Sequence, residues 1–479
     1  MSASSSSVRS GTKAAPDDPA PQAESIWQGS YLPLSIGSLL AVTVVAFQGL
    51  AMATVAPTVA DAIGGEALYG WIFSAFLLPQ IIGTVIGGQE VDRRSPASIL
   101  LVATIVFAGG TLLAGVAPSI WILFAGRALQ GLGAGAMFST VYAVIGAAYP
   151  DRLRPAILAA MSSAWIVPSL VGPALAGFVS DHAGWRWVFF GLVPLLVIVL
   201  ALAMPVYRTF DRAPSEEPAS RRRLLLAVGL TAGTGLFLAG LELRPWPVAV
   251  GAVAVGLVAL VPTLRGLLPE GIFVARPMMP AAILVRALLM GGFLIGETYM
   301  IRALKEFGGV SATTAGIVLT VGSLTWTAGS WVQARLDRTG GAASRPRRVT
   351  AGIAILLAGC GSVFLTVAIL RDIWIGVALA GWLAAGLGMG IAYTTCTTIV
   401  FAHARPGEEG LASSSVLLGD LFMSSVGVGL GGVAYAIAYG NGATTETSSA
   451  LAIGTGVAIL GLALMASFRL RSDGLRHHT

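Results

Sequence analysis

Charged side chains are scarce in this sequence of 479 residues. Asp, Glu, Lys and Arg make up only 11% of it, whereas 55% of the residues are hydrophobic. A soluble chain of this length would form about three domains and carry about 25% charged residues. The shortage excludes a water-soluble protein, and no long polar stretch remains to build an appended soluble domain. We therefore expect a membrane protein.

Cysteine, lysine and histidine, which serve many enzymes and metal sites, are also rare. Cys360 and Cys396 lie in apolar runs, which excludes a disulfide framework and a cysteine metal cluster. Neither Lys13 nor Lys305 has the context of a phosphate-binding loop, so ATP is excluded as direct fuel. The four histidines lack metal-ligand spacing within one segment, and no serine nucleophile motif is present. We predict no enzyme, no metal site and no cofactor.

Long hydrophobic runs, by contrast, fill most of the chain after residue 30. A bilayer core takes roughly 20 mostly apolar residues per helix, and the 61 glycines and 24 prolines are tolerated in such helices. We predict an all-α polytopic protein with fourteen transmembrane helices. They are expected near 31–54, 69–89, 98–117, 119–147, 155–180, 187–206, 223–241, 247–264, 281–303, 311–334, 349–369, 373–402, 411–438 and 447–468.

The basic residues are distributed unevenly between the two sides that this topology defines. Of 29, 23 fall on the side of the N-terminal tail, including Arg286, and five on the other, while Arg127 lies inside the membrane. The five are Arg186, Arg244, Arg302, Lys305 and Arg371. Cytoplasmic loops carry such an excess, so both termini are predicted to be cytoplasmic in the cell (inner) membrane. The net charge of +6 then reflects topology and contact with membrane lipids, not nucleic-acid binding.

An internal repeat appears when the sequence is shifted by 255 residues. The shift lays Gly131, Gly133, Gly135, Ser139, Thr140, Gly172 and Gly177 onto Gly386, Gly388, Gly390, Thr394, Thr395, Gly427 and Gly432. Two homologous six-helix halves, helices 1–6 and 9–14, then leave helices 7 and 8 as an inserted pair. Repeated halves with a site between them are typical of alternating-access transporters.

The repeat and the loops predict seven segments. They are a disordered cytoplasmic tail (1–29), an N-terminal six-helix half (30–206), a cytoplasmic linker (207–222), inserted helices 7 and 8 (223–264), an interfacial loop (265–280), a C-terminal six-helix half (281–468) and a cytoplasmic tail (469–479).

Four motifs resemble those of the major facilitator superfamily. They are Arg127-Ala-Leu-Gln130-Gly131-Leu-Gly133-Ala-Gly135 in helix 4, the antiporter-like Pro168-Ser-Leu-Val-Gly172-Pro173-Ala-Leu-Ala176-Gly177 in helix 5, the loop residues Asp92-Arg93-Arg94, and Gly184-Trp185-Arg186-Trp187-Val-Phe189-Phe190. The last is similar to the fourteen-helix drug:proton antiporter branch. The resemblance implies the major facilitator fold and proton-coupled export of small hydrophobic or amphipathic molecules.

The sequence also departs from that branch in two places. Ser95 and Pro96 stand where the family's loop motif has a glycine and a basic residue. Gln48 stands nine residues before Pro57, where the branch usually carries an aspartate. Because glutamine cannot titrate, proton coupling must use another carboxylate, or the protein is not proton-coupled.

Three charged residues inside predicted helices are candidates for proton coupling, because a charge at mid-membrane costs about 2.5–3.5 kcal/mol and usually serves a function. Arg127 is the motif arginine; the alternative is a structural ion pair or a place near the outer surface. Glu297 lies in an apolar run; the alternative is a pair with Arg302 at the outer mouth. Asp420 falls over Trp165 in the repeat; the alternative is a packing hydrogen bond to nearby serines.

Other candidates are residues for gating and for a substrate cavity. Asp92, Arg93, Gly131, Gly172, Pro173 and Gly177 are expected to latch or gate the halves, although helix packing and a solvated loop explain them too. Flat hydrophobic substrates suit a cavity formed by Gln48, Gln130, Phe138, Tyr142, Trp165, Tyr299, Trp326 and Tyr393. Tyr69, Trp71 and Phe422 share the aromatic character, and most of these aromatics are expected to face lipid or the core.

The sequence therefore predicts a monomeric, proton-coupled exporter of hydrophobic or amphipathic small molecules that works by alternating access. Export of lipid or lipid-linked compounds is the nearest alternative, since it shares the apolar cavity but needs a lateral opening. A non-transporting receptor or scaffold is the alternative of another class.

Overall fold

Fourteen long helices make up the described part of the chain. The computed structural model describes residues 25–471 except 30, 92, 151–152, 154–155, 158–159, 162–163, 210–219, 244 and 404–408. The helices are α1 (Tyr31–Ile63), α2 (Tyr69–Val91), α3 (Pro96–Gly115), α4 (Ile120–Ala148), α5 (Ile166–Ala183), α6 (Arg186–Tyr207, with a turn at Gly191), α7 (Arg221–Glu242), α8 (Trp246–Leu267), α9 (Met279–Glu306), α10 (Ala312–Gly340), α11 (Arg345–Leu365), α12 (Ile375–Ala402), α13 (Glu409–Gly440) and α14 (Thr445–Ser467). Thirteen of these described helices, all but α5, are long and apolar enough to cross a membrane. The predicted all-α fold is confirmed.

The observed bounds differ most from the predicted ones at the start of α5 and at the ends of α1 and α10, which finish at Ile63 and Gly340 rather than at 54 and 334. The sequence predicts the fifth helix over 155–180, whereas α5 is observed over Ile166–Ala183 and much of 151–163 lies outside the described residues. Helix α7 begins inside the predicted linker 207–222. It begins there because the Ser220 hydroxyl accepts a hydrogen bond from the Arg223 backbone N–H at 3.3 Å and caps the first turn.

Glycines of the repeat make matching contacts in the two halves. A Cβ added to Gly131 would lie 2.1 Å from the Phe76 carbonyl oxygen of α2, and one added to Gly386 would lie 2.1 Å from the Gly322 carbonyl oxygen of α10. Only glycine permits these approaches, so α4 rests directly on the backbone of α2 and α12 on that of α10. The pattern read from the sequence thus marks equivalent helix crossings.

The first six helices pack on one another, as do the last six, and the two sets meet along two seams. One seam joins α5 to α10 and the other joins α2 to α13, with further contacts between α1 and α9. Helices α7 and α8 pair with each other and lie outside the bundle, where α7 contacts α2 and α13. The bundle therefore consists of two six-helix halves plus an inserted pair.

The closest approaches between the halves lie toward one end of the bundle. We call the end where α1 finishes and α14 starts the distal end, and the opposite end the proximal end. In the distal half, a Cβ on Gly177 would lie 2.4 Å from the Ala312 carbonyl oxygen, and one on Gly432 would lie 3.1 Å from the Gly70 Cα. Both seams are thus closed distally by glycine-mediated backbone contact.

Candidate functional site

A buried ion pair joins α9 to α13 within the C-terminal six-helix half, toward its proximal end. Arg286 donates from Nη2 to Asp420 Oδ2 at 2.7 Å and from Nε to both carboxylate oxygens at 3.2 and 3.3 Å. Each side chain is 11% exposed. Tyr393 of α12 donates to Asp420 at 2.7 Å and accepts from Arg286 at 2.6 Å, and Thr397 accepts from Nη1. Both charges therefore have the hydrogen-bond partners that burial demands.

Aromatic rings continue from this ion pair along the inner faces of α9, α10 and α12. The Arg286 Cζ lies 3.8 Å from the centre of the Tyr393 ring. Tyr393 meets Trp326 edge to face at 5.4 Å between centroids, and Trp326 meets Phe293 at 5.3 Å. Phe293 stacks on Trp382 at 4.8 Å. Such edge and stacked contacts hold the rings in place. We call the rings of Tyr393, Trp326, Phe293 and Trp382 the aromatic wall.

The N-terminal half also carries predicted cavity aromatics at exposed or partly exposed positions. Tyr142 of α4 and Trp165, which precedes α5, are 44% and 45% exposed, and Phe138, one turn before Tyr142, is half-buried. The Tyr142 hydroxyl is close enough to Arg286 of the other half to feel its positive charge. Of the predicted cavity residues, Tyr393 bonds to both members of the ion pair and Trp326 packs against Tyr393.

Glu297 of α9 is buried, with 8% exposure. It lies one turn after Phe293, so it shares the face of α9 that carries the aromatic wall. No hydrogen bond or ion pair joins its carboxyl group to another described residue. Arg302, the partner that the sequence offers as an alternative, binds Glu306 instead at 2.6 Å. Glu297 is thus a buried acid without a described counter-charge.

Arg127 of α4 is 2% exposed and binds neutral groups. Its Nε donates to the Ile72 carbonyl oxygen of α2 at 3.0 Å and its Nη1 to Gln130 Oε1 at 3.0 Å, while its Cζ lies 4.5 Å from the centre of the Phe76 ring. Gln130 in turn donates to the Thr111 hydroxyl at 3.0 Å. No carboxylate among the described residues pairs with Arg127, so the alternative of a structural ion pair finds no support in this part of the chain.

A second buried cation, Arg302, lies at the distal closure. It is 0% exposed, and its Cζ lies 4.5 Å and 4.2 Å from the ring centres of Tyr69 and Tyr435. It donates to the Tyr435 hydroxyl at 2.9 Å and to the Glu66 carbonyl oxygen at 3.3 Å, besides its pair with Glu306. The guanidinium thus joins both halves through cation–π and hydrogen-bond contacts.

Further polar contacts between the halves lie at the same distal end as Arg302. Lys305 Nζ donates to Asp61 at 3.1 Å and to the Thr58 hydroxyl at 2.7 Å, which joins α9 to α1. Asp181 of α5 accepts from the Thr313 hydroxyl at 2.6 Å and from its backbone N–H at 3.0 Å, which joins α5 to the first turn of α10. The distal end is therefore closed by polar contacts as well as by glycine packing.

Four other residues, predicted to line the cavity or to gate the halves, are packed against protein. Gln48 and Gln130 are 1% and 0% exposed, and Gln130 belongs to the Arg127 network. Tyr299 is 0% exposed and meets Tyr69 edge to face at 5.5 Å, so it belongs to the distal closure rather than to a cavity. Gly172 packs on the Phe47 ring of α1.

The proximal loops carry two clusters of ion pairs. Arg93 and Arg94 both bind Glu90, at 3.2 and 2.7 Å, whereas Asp92 lies outside the described residues. At the equivalent corner of the C-terminal half, Asp337 binds Arg345 and Arg348 at 2.8 and 2.7 Å. The sequence analysis did not single out this second cluster. Its signal is an acid at the end of α10 followed by basic residues that start α11.

The assignment of Arg286 and Arg302 to the loop charges is wrong. Arg286 is the eighth residue of α9 and Arg302 lies one turn before its end, and they are 9% and 0% exposed. The charge count placed each arginine in the nearest loop. An arginine several residues inside an apolar run, however, lies inside the helix. That position, with a glutamate four residues after Arg302, was the available signal.

The donors present do not suggest a metal site, since no group of three or more His, Cys, Asp or Glu side chains among the described residues could hold an ion. Cys360 and Cys396 are both buried and unpaired with each other.

Comparison with known proteins identifies the family. Residues 37–428 match the family model of the Major Facilitator Superfamily. A protein named a probable multidrug-efflux transporter in Mycobacterium tuberculosis is 26% identical over 393 residues, which cover 78% of this chain and 81% of that protein. A transporter of the acurin A biosynthesis cluster in Aspergillus aculeatus is 30% identical over 208 residues, 42% of this chain and 37% of that one.

Solved structures share the fold. A POT family transporter, crystallised in meso, superposes with a TM-score of 0.66 at 12% identity, covering 92% of this chain and 98% of that one. The human organic anion transporter superposes with a TM-score of 0.58 at 15% identity, covering 92% and 100%. The helices, the two halves and the matched residues agree: this chain is a multi-pass membrane protein that belongs to the major facilitator superfamily of transporters.

Proposed function

We propose that this transporter exports hydrophobic or amphipathic small molecules in exchange for protons, by alternating access. The observation that carries the proposal is the contrast between two buried acids on facing helices. Asp420 is neutralised by Arg286, whereas Glu297 has no described counter-charge and adjoins the aromatic wall. A buried acid without a partner is most stable when protonated, and it releases the proton when water or a cation reaches it.

Alternating access follows from the distal closure. The proposed motion rocks residues 30–206 against 281–468 about the central site and opens the distal end as the proximal end closes. It has to separate Arg302 from the Glu66 carbonyl group and Lys305 from Asp61. Gly172 and Pro173, where α5 contacts α1 and α10, are suited to absorb the change because proline leaves a backbone acceptor unpaired.

The energy of one proton is sufficient for such export. A proton that crosses about 100 mV releases roughly 2.3 kcal/mol, and each pH unit adds about 1.4 kcal/mol. One proton per cycle then supports a substrate gradient on the order of 100- to 1,000-fold. The relative named a multidrug-efflux transporter supports a drug-like substrate. We place the protein in the inner cell membrane, with its proximal end toward the cytoplasm, as a monomer that needs no cofactor.

The test is proton-driven dye transport by purified protein in proteoliposomes, with the variants Glu297→Gln and Glu270→Gln. Glu297→Gln removes the proposed proton carrier, so dye accumulation against a gradient should fall to the level of empty vesicles. Glu270, an exposed acid in the loop after α8, provides a matched control that should retain full activity. Substrate-dependent proton movement is measured in parallel with a pH-sensitive dye.

Each result separates the proposal from its alternatives. Uncoupled but undiminished dye exchange by Glu297→Gln supports a proton carrier at that position. Export at the original rate against the same gradient contradicts it. A receptor or scaffold predicts that neither the original protein nor any variant moves dye or protons.

A further inference from the structure

The first turn of α10 is capped from both halves of the molecule. A helix begins with backbone N–H groups that have no acceptor within it, and Ala312, Thr313 and Thr314 carry the first of these in α10. The Ser311 hydroxyl accepts from the Thr314 N–H at 3.2 Å, as an ordinary N-cap does. The other two groups donate to Asp181 of α5, from Ala312 at 3.3 Å and from Thr313 at 3.0 Å. A residue of the N-terminal half therefore completes the cap of a helix in the C-terminal half.

Asp181 binds this turn with both of its carboxylate oxygens. Oδ1 accepts from the Ala312 N–H, and Oδ2 accepts from the Thr313 N–H and from the Thr313 hydroxyl, the last at 2.6 Å. Hydrogen bonds to a charged acceptor are roughly twice as strong as those between neutral groups. The carboxylate also lies at the positive end of the α10 dipole. Charge and hydrogen bonding thus both favour contact between α5 and α10 at the distal end.

Gly177 brings the two helices close enough for this short side chain. It lies one turn before Asp181 on the same face of α5, and a Cβ added there would lie 2.4 Å from the Ala312 carbonyl oxygen. Aspartate has a single methylene group, so its carboxylate reaches the backbone of α10 only where the two backbones lie close together. Gly177 and Asp181 therefore act together at this crossing.

The position of Asp181 is unfavourable for α5 itself. The helix runs from Ile166 to Ala183, so Asp181 lies in its last turn, where the helix dipole is negative and an acid destabilises the helix. The residue at the equivalent place in the repeat, 255 residues later, is the uncharged Ala436. The stability of α5 does not explain an acid at this position, whereas the first turn of α10 does.

We propose that Asp181 is a positioning residue of the transport cycle, which recloses the distal end by capping α10 from the other half. This inference rests on the proposed function, in which the two halves rock apart. When α5 and α10 separate distally, the Ala312 N–H and the two Thr313 donors lose their acceptor. Closure restores all of these bonds, so the cap shifts the equilibrium toward the distally closed state.

The first test measures the separation of the halves by pulsed electron paramagnetic resonance on the purified protein. Spin labels are attached to Val116→Cys after α3 and to Gly440→Cys at the end of α13, two exposed positions at the distal ends of different halves. Cys360 and Cys396 are buried, so labelling is confined to the introduced positions. Asp181→Ala should raise the ratio of the long, distally open distance to the short one about tenfold.

Two controls separate this contact from a general loss of capping or of charge. Ser311→Ala removes the other cap of the same turn but no bond between the halves. Glu446→Gln removes an acid from the first turn of α14, within the C-terminal half. Neither control should change the distribution of distances. An unchanged distribution in Asp181→Ala, or an equal shift in either control, would overturn the proposal.

A double-variant cycle tests the bond itself with a milder change. Thr313→Val removes the hydroxyl that donates to Asp181 and keeps the backbone N–H. Alone, it should raise the ratio of open to closed distances about threefold. In the Asp181→Ala background it should add nothing, because the acceptor is already gone. An equal effect of Thr313→Val in the two backgrounds would show that the bond does not hold the halves together and would overturn the proposal.

Failure of this inference and failure of the proposed function give different results. Dye export in proteoliposomes should fall severalfold in Asp181→Ala, because the distal end recloses less readily. Undiminished export by this variant would reject the part of Asp181 in the cycle. Proton-driven export by the unchanged protein, with no shift of the label distances in Asp181→Ala, rejects only the inference. The expected shift of the distances, without any dye export by the unchanged protein, rejects the proposed function.

Discussion

Arg286 and Arg127 are both buried arginines, one in each half, but they are stabilised in different ways. Arg286 forms an ion pair with Asp420, with Tyr393 bonded to both members. Arg127 has only neutral acceptors, the Ile72 carbonyl group and Gln130, and the ring of Phe76. The C-terminal pair is neutral overall, whereas the N-terminal half keeps an uncompensated positive charge among its described residues.

The difference separates a charge that has an ionic partner from charges that have none among the described residues. Breaking a buried ion pair leaves an unpaired charge and costs several kcal/mol, so the Arg286 pair resists change. Arg127 and Glu297 have no such tie. Both lie near α2, since Arg127 binds Ile72 and the Thr298 carbonyl group beside Glu297 accepts from Tyr69, one turn earlier.

Asp420→Asn should have the largest effect. It leaves Arg286 buried without a carboxylate, and we expect a loss of about 3–5 kcal/mol in the free energy of unfolding, measured by denaturation in detergent. The double variant Arg286→Gln with Asp420→Asn should recover most of the lost free energy of unfolding, because no charge is left unpaired. A double variant as unstable as Asp420→Asn would show that the pair is not the source of the loss.

Tyr393→Phe should have an intermediate effect in the same cluster. It removes one hydroxyl that donates to Asp420 and accepts from Arg286, and hydrogen bonds to charged groups contribute about 1.5–3 kcal/mol. Because the ion pair remains, we expect a loss of about 1.5 kcal/mol in the free energy of unfolding, measured in the same way. Tyr142→Phe, whose hydroxyl is near the pair but not bonded to it, is the control and should be neutral.

Arg127→Gln should have a smaller effect on stability. It loses the bonds to Ile72 and Gln130 but also removes the unfavourable burial of an unpaired cation, so we expect a net loss of about 1 kcal/mol. Proton-driven export in proteoliposomes should be lost, because the proposed function gives this buried charge a part in proton coupling. A loss as large as that of Asp420→Asn would remove the distinction between the two arginines.

Thr111→Val should have the smallest effect. It removes the acceptor for Gln130 and thereby one neutral hydrogen bond, and such bonds between membrane helices contribute about 0.6 kcal/mol. Thr104→Val is the matched control, because Thr104 is buried on the same helix but donates only within it, to Leu100. Equal losses in the two variants would show that the bond to Gln130 adds nothing.

Local patterns predicted most of the fold but only part of the site. Fourteen apolar runs predicted fourteen helices, and the glycine register predicted matching crossings such as those of Gly131 and Gly386, because helix length and close approach depend on residues near one another in sequence. The partner of Asp420 was not predicted. Arg286 is 134 residues away, and its position near a helix end gave it the pattern of a loop charge.

Glu297 shows the same division between near and distant neighbours. The apolar run around it predicted burial, which the structure bears out at 8% exposure. The expected alternative partner, Arg302, binds Glu306 because that residue lies one turn further along the same helix and on the same face. Which residues Glu297 faces depends instead on α10 and α12, which follow it in the chain.

The sequence by itself determined a membrane protein of fourteen helices in two repeated halves, because hydrophobicity and small-residue spacing act over one or two helical turns. Only the tertiary structure decided that Asp420 is neutralised, that Tyr299 lies in the distal closure, and that α7 contacts both α2 and α13. These depend on which helices become neighbours, and contacts between distant segments leave no periodic signal in a single chain.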